Sequence, residues 1–260
     1  MSAPIDAVIL CGGEGKRLQP LVADRPKSMA DVAGKPFLQW LLESLAGPLV
    51  ARFILCTGYM GTEIAQHFQR GNACGKPIIF SHEATPLGTG GAVLNALPLV
   101  ASDPFLLLNG DTFFNLDLGA LLQFHQDSRL NSQPNSQPNS QFNKAALVTM
   151  ALVAVPHCQR YGSVVVDSHG AVLAFREKDP QRGDQPGLIN AGAYLMQKSL
   201  WQDGALRPPS ASFSLEYEVL PRLIQKGLFG LEGPQQTDFS DIGTPESYLS
   251  FKELRKGVSL

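Results

Sequence analysis

The sequence predicts an α/β fold with a mostly parallel sheet covered by helices on both faces. Three observations carry this expectation. Short, continuous apolar runs alternate with helix-period segments from residue 5 to residue 113. Strands buried on both faces read as unbroken apolar runs, because no solvent face imposes alternation. The first run ends in a glycine-rich, cationic loop, "LCGGEGKRL" at residues 10–18. The second half changes character, with alternating segments around turns that suggest antiparallel hairpins.

In chain order, "DAVIL" is a buried strand, and "KPFLQWLLESLAG" is a helix with Phe37, Leu38, Leu41, Leu42 and Leu45 at helical spacing, closed by Gly47. "RFILCTG" is a second strand and "GTEIAQHFQRG" a short helix. "KPIIFSH" is a third strand, "GTGGAVLNAL" a glycine-started helix, and "PFLLLNGD" a fourth strand. "NSQPNSQPNSQ", residues 131–141, is a tandem repeat without an apolar residue. Such a stretch buries too little surface to offset chain entropy, so a disordered surface loop is expected over 128–143. "KAALVTMALVAV" resumes as a long strand, "GSVVVDSHGAVLAFRE" forms a hairpin, and "NAGAYLM" is another strand. "SLEYEVLPRLIQKG" reads as a helix, and "TDFSDIG" as a strand leading into the helix "TPESYLSFKELRK". Thr244 and Pro245 suit the N-cap and first position of that last helix.

Composition bounds the function. A chain of 260 residues is expected to form a single catalytic-sized domain over 1–260. The 21 basic and 23 acidic side chains leave a net charge of −2, and no basic run is present, which argues against nucleic acid as a partner. The four cysteines form no C-x-x-C pair. Cys11 and Cys56 end apolar runs, where a thiol behaves as a small hydrophobe in a reducing compartment. The N-terminus does not resemble a secretory signal, and no apolar stretch approaches membrane-spanning length, so no membrane partner and a cytoplasmic location are expected.

The chemistry gathers in loops that follow strands. "LCGGEGKRL" is not a P-loop, since Lys16 is followed by Arg17, and Leu18 breaks a dinucleotide-binding pattern that starts at Gly13. It remains an anion-binding composition, with crowded backbone N–H groups beside two cations. In "RPKSM", Pro26 stiffens the chain before Lys27. A lone lysine is most often solvated surface. Lys16, Arg17 and Lys27 together make a better triphosphate clamp, with a guanidinium fork and point charges. Asp111 follows a buried strand in "LNGDTFF", where it suits a turn and equally suits Mg²⁺ at the ligand edge of the sheet. Asp241 in "FSDIGTP" offers a second carboxylate. The five histidines are scattered without metal spacing, and Trp40 and Trp201 fit core positions.

These motifs, with "EATPLGTGGA", "FREK" and "INAGAY", stand in the order found in sugar-1-phosphate nucleotidylyltransferases, which the chain resembles from about residue 5 to residue 255. The resemblance implies a Rossmann-like nucleotidyltransferase fold with a mixed, mostly parallel central sheet and helices on both faces. It implies transfer of a nucleotidyl group from an NTP to a sugar 1-phosphate, with pyrophosphate released and Mg²⁺ required. It assigns Leu10, Gly12, Gly13, Gly15 and Lys16 to the nucleotide, with Glu83, Gly88, Thr89 and Gly90 near base and ribose. Arg17, Lys27, Asp111 and Lys178 become catalytic, and Asp111 and Asp241 become the metal ligands. Asn109, Gly162, Glu177, Lys178, Asn190 and Gly192 line the sugar-phosphate site. Lys16 departs from the family pattern, in which many members carry Thr or Ser at this position.

Glu83 bears on the base. A carboxylate only accepts, and guanine presents two donors on its Watson–Crick edge; a solvated glutamate is the competing reading. The wording of the motifs is most similar to guanylyltransferases for mannose 1-phosphate and D-glycero-D-manno-heptose 1-phosphate, with "RYGSVVVD", "LINAGAYLM" and "FSLEYEVLP" closer to the heptose branch. GTP and heptose phosphate are therefore the favoured pair, and no C-terminal left-handed β-helix is expected. The alternatives are a mannose-1-phosphate guanylyltransferase, another sugar-1-phosphate uridylyl- or cytidylyltransferase, and a catalytically silent paralogue that binds nucleotide sugars for regulation. No residue pattern specifies the oligomeric state.

Overall fold

The apolar runs of the first half become neighbouring strands of one ten-stranded sheet in the computed structural model. The structure describes residues 3–130, 145–176, 185–202, 208, 210–234 and 239–256. The tandem repeat at 131–141, Glu177 and Lys178 therefore lie outside the described residues.

The first half runs β1 (Ile5–Leu10), a ribbon of β2 (Asp31–Val32) and β3 (Lys35–Pro36), α1 (Phe37–Leu45), β4 (Val50–Thr57) and α2 (Gly61–His67). It continues with β5 (Asn72–Ala73), β6 (Lys76–His82), α3 (Gly88–Ala96), β7 (Phe105–Asn109), β8 (Thr112–Phe113) and α4 (Leu118–Leu130). The second half adds β9 (Val148–Val155), β10 (Ser163–Val166), β11 (Val172–Arg176), β12 (Gly187–Met196), β13 (Leu228–Glu232), β14 (Ser240–Asp241) and α5 (Pro245–Leu254). Strands β6, β4, β1 and β7 lie side by side and parallel. The C-terminal half of β12 pairs antiparallel with β7, with Ala193 opposite Leu108. Its N-terminal half pairs with β10 of the β10–β11 hairpin, while β9 runs along its other edge and β13 lies parallel beyond β9.

Alternate side chains of β1 feed two apolar layers. Ala7 and Ile9 join Leu38, Leu41 and Leu42 of α1, Ile64 of α2 and Leu121 of α4. Val8 joins Ala92, Val93 and Ala96 of α3, together with Phe213, Leu215 and Leu220. Helices thus cover both faces, which is why the strands carry no polar alternation. A third cluster packs Leu18, Trp40, Phe113, Ile242, Tyr248 and Phe251, so α5 braces the segment that follows β1. Cys11, Cys56 and Cys158 are buried free thiols and Cys74 is exposed.

Three local expectations change. Residues 214–227 are not a regular α-helix: a π-helical turn, Leu215–Val219, gives way to a 3-10 turn, Leu220–Leu223. Pro221 has no N–H to donate, and its ring conflicts with the carbonyl four residues earlier, so an α-helical ladder cannot pass through. Within the described part of "TDFSDIG", residues 239–243, the strand is the two residues of β14. Helix α1 ends at Leu45 with Ala46 as its cap, before Gly47. Helix α5 starts as expected, with Thr244 as N-cap, Pro245 in its first turn, and Ser247 completing a capping box. Among the described residues, no helix is long and apolar enough to cross a membrane.

Candidate functional site

Strand order reverses at β1, because the chain builds outward through β4 and β6 before returning to the other side at β7. Loops diverge at such a reversal and leave a crevice beyond the strand C-termini. A cleft of about 870 Å³ opens there. Its walls come from Leu10 to Arg17, Lys27 and Ser28, Gly58 and Tyr59, residues 82–86, Gly88, Thr89 and Ala92, Asn109 to Asp111, and Gly243.

The cationic loop is built around Lys27. Gly15 has a φ of +62°, and a Cβ there would lie 2.7 Å from Lys27 Cβ, so only glycine lets the loop close over this side chain. Lys27 Nζ donates to Asp111 Oδ2 at 2.5 Å, with the lysine side chain 12% exposed and the carboxylate 41% exposed. Both residues line the cleft, the ammonium the more buried of the two. Arg17 is exposed at the rim. Lys16 is also at the rim, in an ion pair with Glu14 at 2.8 Å.

Glu83 leaves β6 at the opposite wall. Its Oε2 accepts from Leu87 N–H at 3.1 Å and so fixes the turn into α3. Burial pushes its carboxyl above the usual range, against the lowering effect of that hydrogen bond. Gly88 and Thr89 line the cleft, but the Thr89 hydroxyl is already engaged. It donates to Glu216 Oε2 at 2.6 Å and accepts from Leu215 N–H at 2.8 Å. Gly90 is buried under the Phe213 ring, where a Cβ would collide with it, and its N–H donates to Phe213 O at 3.0 Å. Gly90 thus stands behind the cleft lining at Gly88 and Thr89. The N-terminus of α3 is strapped by residues 213–216, and the Gly90 amide is spent there.

At the far end of β7, Asn109 meets the kink of β12. Asn190 N–H donates to Gly162 O at 2.9 Å, its Oδ1 accepts from Gly192 N–H at 3.0 Å, and its Nδ2 donates to the Tyr194 hydroxyl at 2.7 Å. Gly192 packs directly against the Asn109 side chain. Asn109 Oδ1 is buried and has no hydrogen-bond donor among the described residues. Four of the expected sugar-site residues therefore stand together, while Glu177 and Lys178 are outside the described residues.

The backbones of the two residues expected to bind metal are brought side by side through a small sheet. β14 pairs with β8, Asp241 stands opposite Thr112, and Ile242 N–H donates to Asp111 O at 2.9 Å. Asp241 Oδ1 accepts from Gly243 N–H at 2.7 Å and from Ser247 Oγ at 3.3 Å. The Tyr161 hydroxyl is pushed up to about 12, first by burial and then by its contact with the Asp241 carboxylate. The donor set is two hard oxygen ligands without sulfur or imidazole, which fits Mg²⁺ completed by phosphate oxygens and water. Among the described residues no group of three or more His, Cys, Asp or Glu could hold a metal by itself. Sequence reasoning did not single out Ser28, Tyr59, Gly243 or the Phe213–Glu216 strap. Ser28 lies inside "RPKSM" and Gly243 inside "FSDIGTP", while the strap falls in "FSLEYEVLP", whose local pattern gives no sign of its contact with α3.

The match to known proteins agrees with this geometry. Residues 6–256 match the family described as Nucleotidyl transferase. The chain is 35% identical over 259 residues to a mannose-1-phosphate guanylyltransferase of Mycobacterium tuberculosis, spanning 98% of this chain and 66% of that protein, just under two thirds of its length. It is 36% identical over 247 residues to a D-glycero-alpha-D-manno-heptose 1-phosphate guanylyltransferase of Campylobacter jejuni, spanning 95% of this chain and 98% of that protein. The crystal structure of HddC from Yersinia pseudotuberculosis complexed with GMP-PN superposes with a TM-score of 0.76 at 32% identity, covering 96% of this chain and 99% of that one. On a match that runs almost end to end, the chain belongs to the nucleotidyl transferase family.

Proposed function

We propose that the protein transfers the guanylyl group of GTP to a sugar 1-phosphate, with D-glycero-D-manno-heptose 1-phosphate as the acceptor, and releases pyrophosphate. The observation that carries this reading is the Lys27–Asp111 pair at the strand-order reversal, flanked by the glycine loop and by Asp241. The heptose assignment draws on similarity to the Campylobacter protein along nearly its full length. The mycobacterial relative supports mannose 1-phosphate as the second acceptor to test.

In the reaction, a phosphate oxygen of the sugar 1-phosphate attacks the α-phosphorus of GTP, and the bond from that phosphorus to the bridging oxygen breaks. The nucleophile is already ionised at neutral pH, so no general base is needed. The difficulty is bringing two anions together and carrying charge away on pyrophosphate. Lys27 meets that demand at the cleft floor and Arg17 at the rim. Lys178 is assigned to the sugar phosphate by the family resemblance. A Mg²⁺ ion held by Asp111 and Asp241 would neutralise phosphate charge. Glu83 is our choice for reading guanine: it stands at the cleft wall, with one oxygen committed to Leu87 N–H. Asn109 Oδ1, lacking a donor among the described residues, suits a sugar hydroxyl. Buried free thiols at Cys11, Cys56 and Cys158 suit a reducing, cytoplasmic setting, and we read the chain as one catalytic domain.

The assay is pyrophosphate release from GTP and heptose phosphate with Mg²⁺, for wild type and Asp111→Asn. Turnover in wild type and its loss in the variant supports the proposal. Undiminished turnover in the variant removes Asp111 from the mechanism. Binding of nucleotide sugar without any turnover by wild type favours a regulatory paralogue.

A further inference from the structure

The start of α5 is coupled to the site by one hydroxyl. Ser247 Oγ accepts from Thr244 N–H at 3.2 Å, as the third-residue member of the capping box. The same oxygen carries one proton and has three acceptors within reach: Asp241 Oδ1 at 3.3 Å, Thr244 O at 3.2 Å and Thr244 Oγ1 at 3.1 Å. At similar distances an anionic acceptor wins, because a charge-assisted hydrogen bond is roughly twice as strong as a neutral one. Asp241 Oδ1 is therefore gripped from two sides, by the backbone N–H of Gly243 at 2.7 Å and by the Ser247 hydroxyl.

The grip has little slack. A Cβ on Gly243 would lie 2.7 Å from Asp241 Oδ1 and 3.5 Å from Arg17 Nη2, so the carboxylate is packed against the turn that holds it. The turn is in turn anchored: Ile242, Tyr248 and Phe251 are buried in the cluster that contains Leu18 of the cationic loop. Helix α5 is thus rigidly joined to the segment carrying Arg17.

We infer that Ser247 is a positioning residue, which fixes the Asp241 carboxylate for the divalent cation through its hydroxyl while also capping α5. The inference rests on Asp241 serving as a metal ligand, as proposed above. Partners of this kind typically change metal affinity by about 10- to 100-fold when removed.

The test compares wild type, Ser247→Ala, Ser247→Thr and Thr244→Ala. Thr244→Ala breaks the same capping box but does not touch Asp241. Three readouts are taken: thermal midpoint, Mn²⁺ binding by electron paramagnetic resonance in the presence of GTP, and the Mg²⁺ concentration for half-maximal pyrophosphate release. Both alanine variants are expected to lower the thermal midpoint. Only Ser247→Ala should weaken Mn²⁺ binding and raise the Mg²⁺ requirement, by about tenfold, and Ser247→Thr should restore both. Equal metal affinity in Ser247→Ala and Thr244→Ala would reduce Ser247 to a cap and overturn the inference. Should Asp241→Asn also leave Mn²⁺ binding intact, the metal-ligand assignment itself fails, a result distinct from failure of Ser247 alone.

Discussion

Lys27 is where composition, geometry and chemistry converge most tightly. On the proposed mechanism, the largely buried ammonium that sits on Asp111 would pass to a phosphate when the carboxylate binds a cation. Lys27→Ala should lower kcat by about 10²–10³, measured as pyrophosphate release at saturating substrates, with the fold intact by circular dichroism. His125 provides a residue-scale prediction for stability. It is fully buried, with Nδ1 2.8 Å from Thr149 Oγ1 and Nε2 2.9 Å from Gln197 Nε2. The amide nitrogen donates, so the imidazole must accept there and stay neutral. Burial, with Arg129 nearby, depresses its pKa from 6.5 to about 4. The unfolded chain therefore binds the extra proton first, and the stability from neutral His125 is present above pH 6.5 and lost as pH falls towards 4. Denaturant midpoints across that window should fall less steeply in His125→Gln than in wild type. Parallel slopes would show that the imidazole is not held neutral.

At the scale of elements, the sequence showed strands more clearly than the way they support the site. Apolar runs such as Phe105–Leu108 are buried on both faces, and the helix spacing of α1 fills one layer, so both were legible from pattern alone. The helix expected at 214–227 was misread because its apolar spacing is right while Pro221 forbids the ladder. Thr89 and Gly90 stand in a motif that points to the nucleotide, yet their polar groups meet Phe213, Leu215 and Glu216, more than 120 residues away. No local spacing announces such a strap. The capping box of α5, by contrast, was half legible: Thr244 and Pro245 gave its start, and the reach of Ser247 to Asp241 needed the fold. Thr244→Ala should cost about 1 kcal/mol of stability, read as a lower midpoint in denaturant, while the metal requirement stays at the wild-type value. A shift in metal requirement equal to that of Ser247→Ala would contradict the division of labour at this turn.

For the whole molecule, the strand order explains why distant motifs meet. The loop after β1, the end of β7 and the β8–β14 pair converge only because the chain reverses at β1 and returns through α5. The motifs "LCGGEGKRL", "EATPLGTGGA" and "LNGDTFF" made part of that convergence readable before the fold, since they stand at the ends of β1, β6 and β7. What motifs cannot specify is the shape of the proposed sugar pocket, where Asn109, Gly162, Asn190 and Gly192 meet at the kink of β12. The discriminating measurement is pyrophosphate release with Mg²⁺, crossing GTP, ATP, CTP, UTP and dTTP against the 1-phosphates of D-glycero-D-manno-heptose, mannose and glucose. Turnover confined to GTP, and fastest with the heptose phosphate, is the predicted result. Turnover with a pyrimidine nucleotide in place of GTP would contradict the role given to Glu83, and no turnover with any pair would contradict the enzyme.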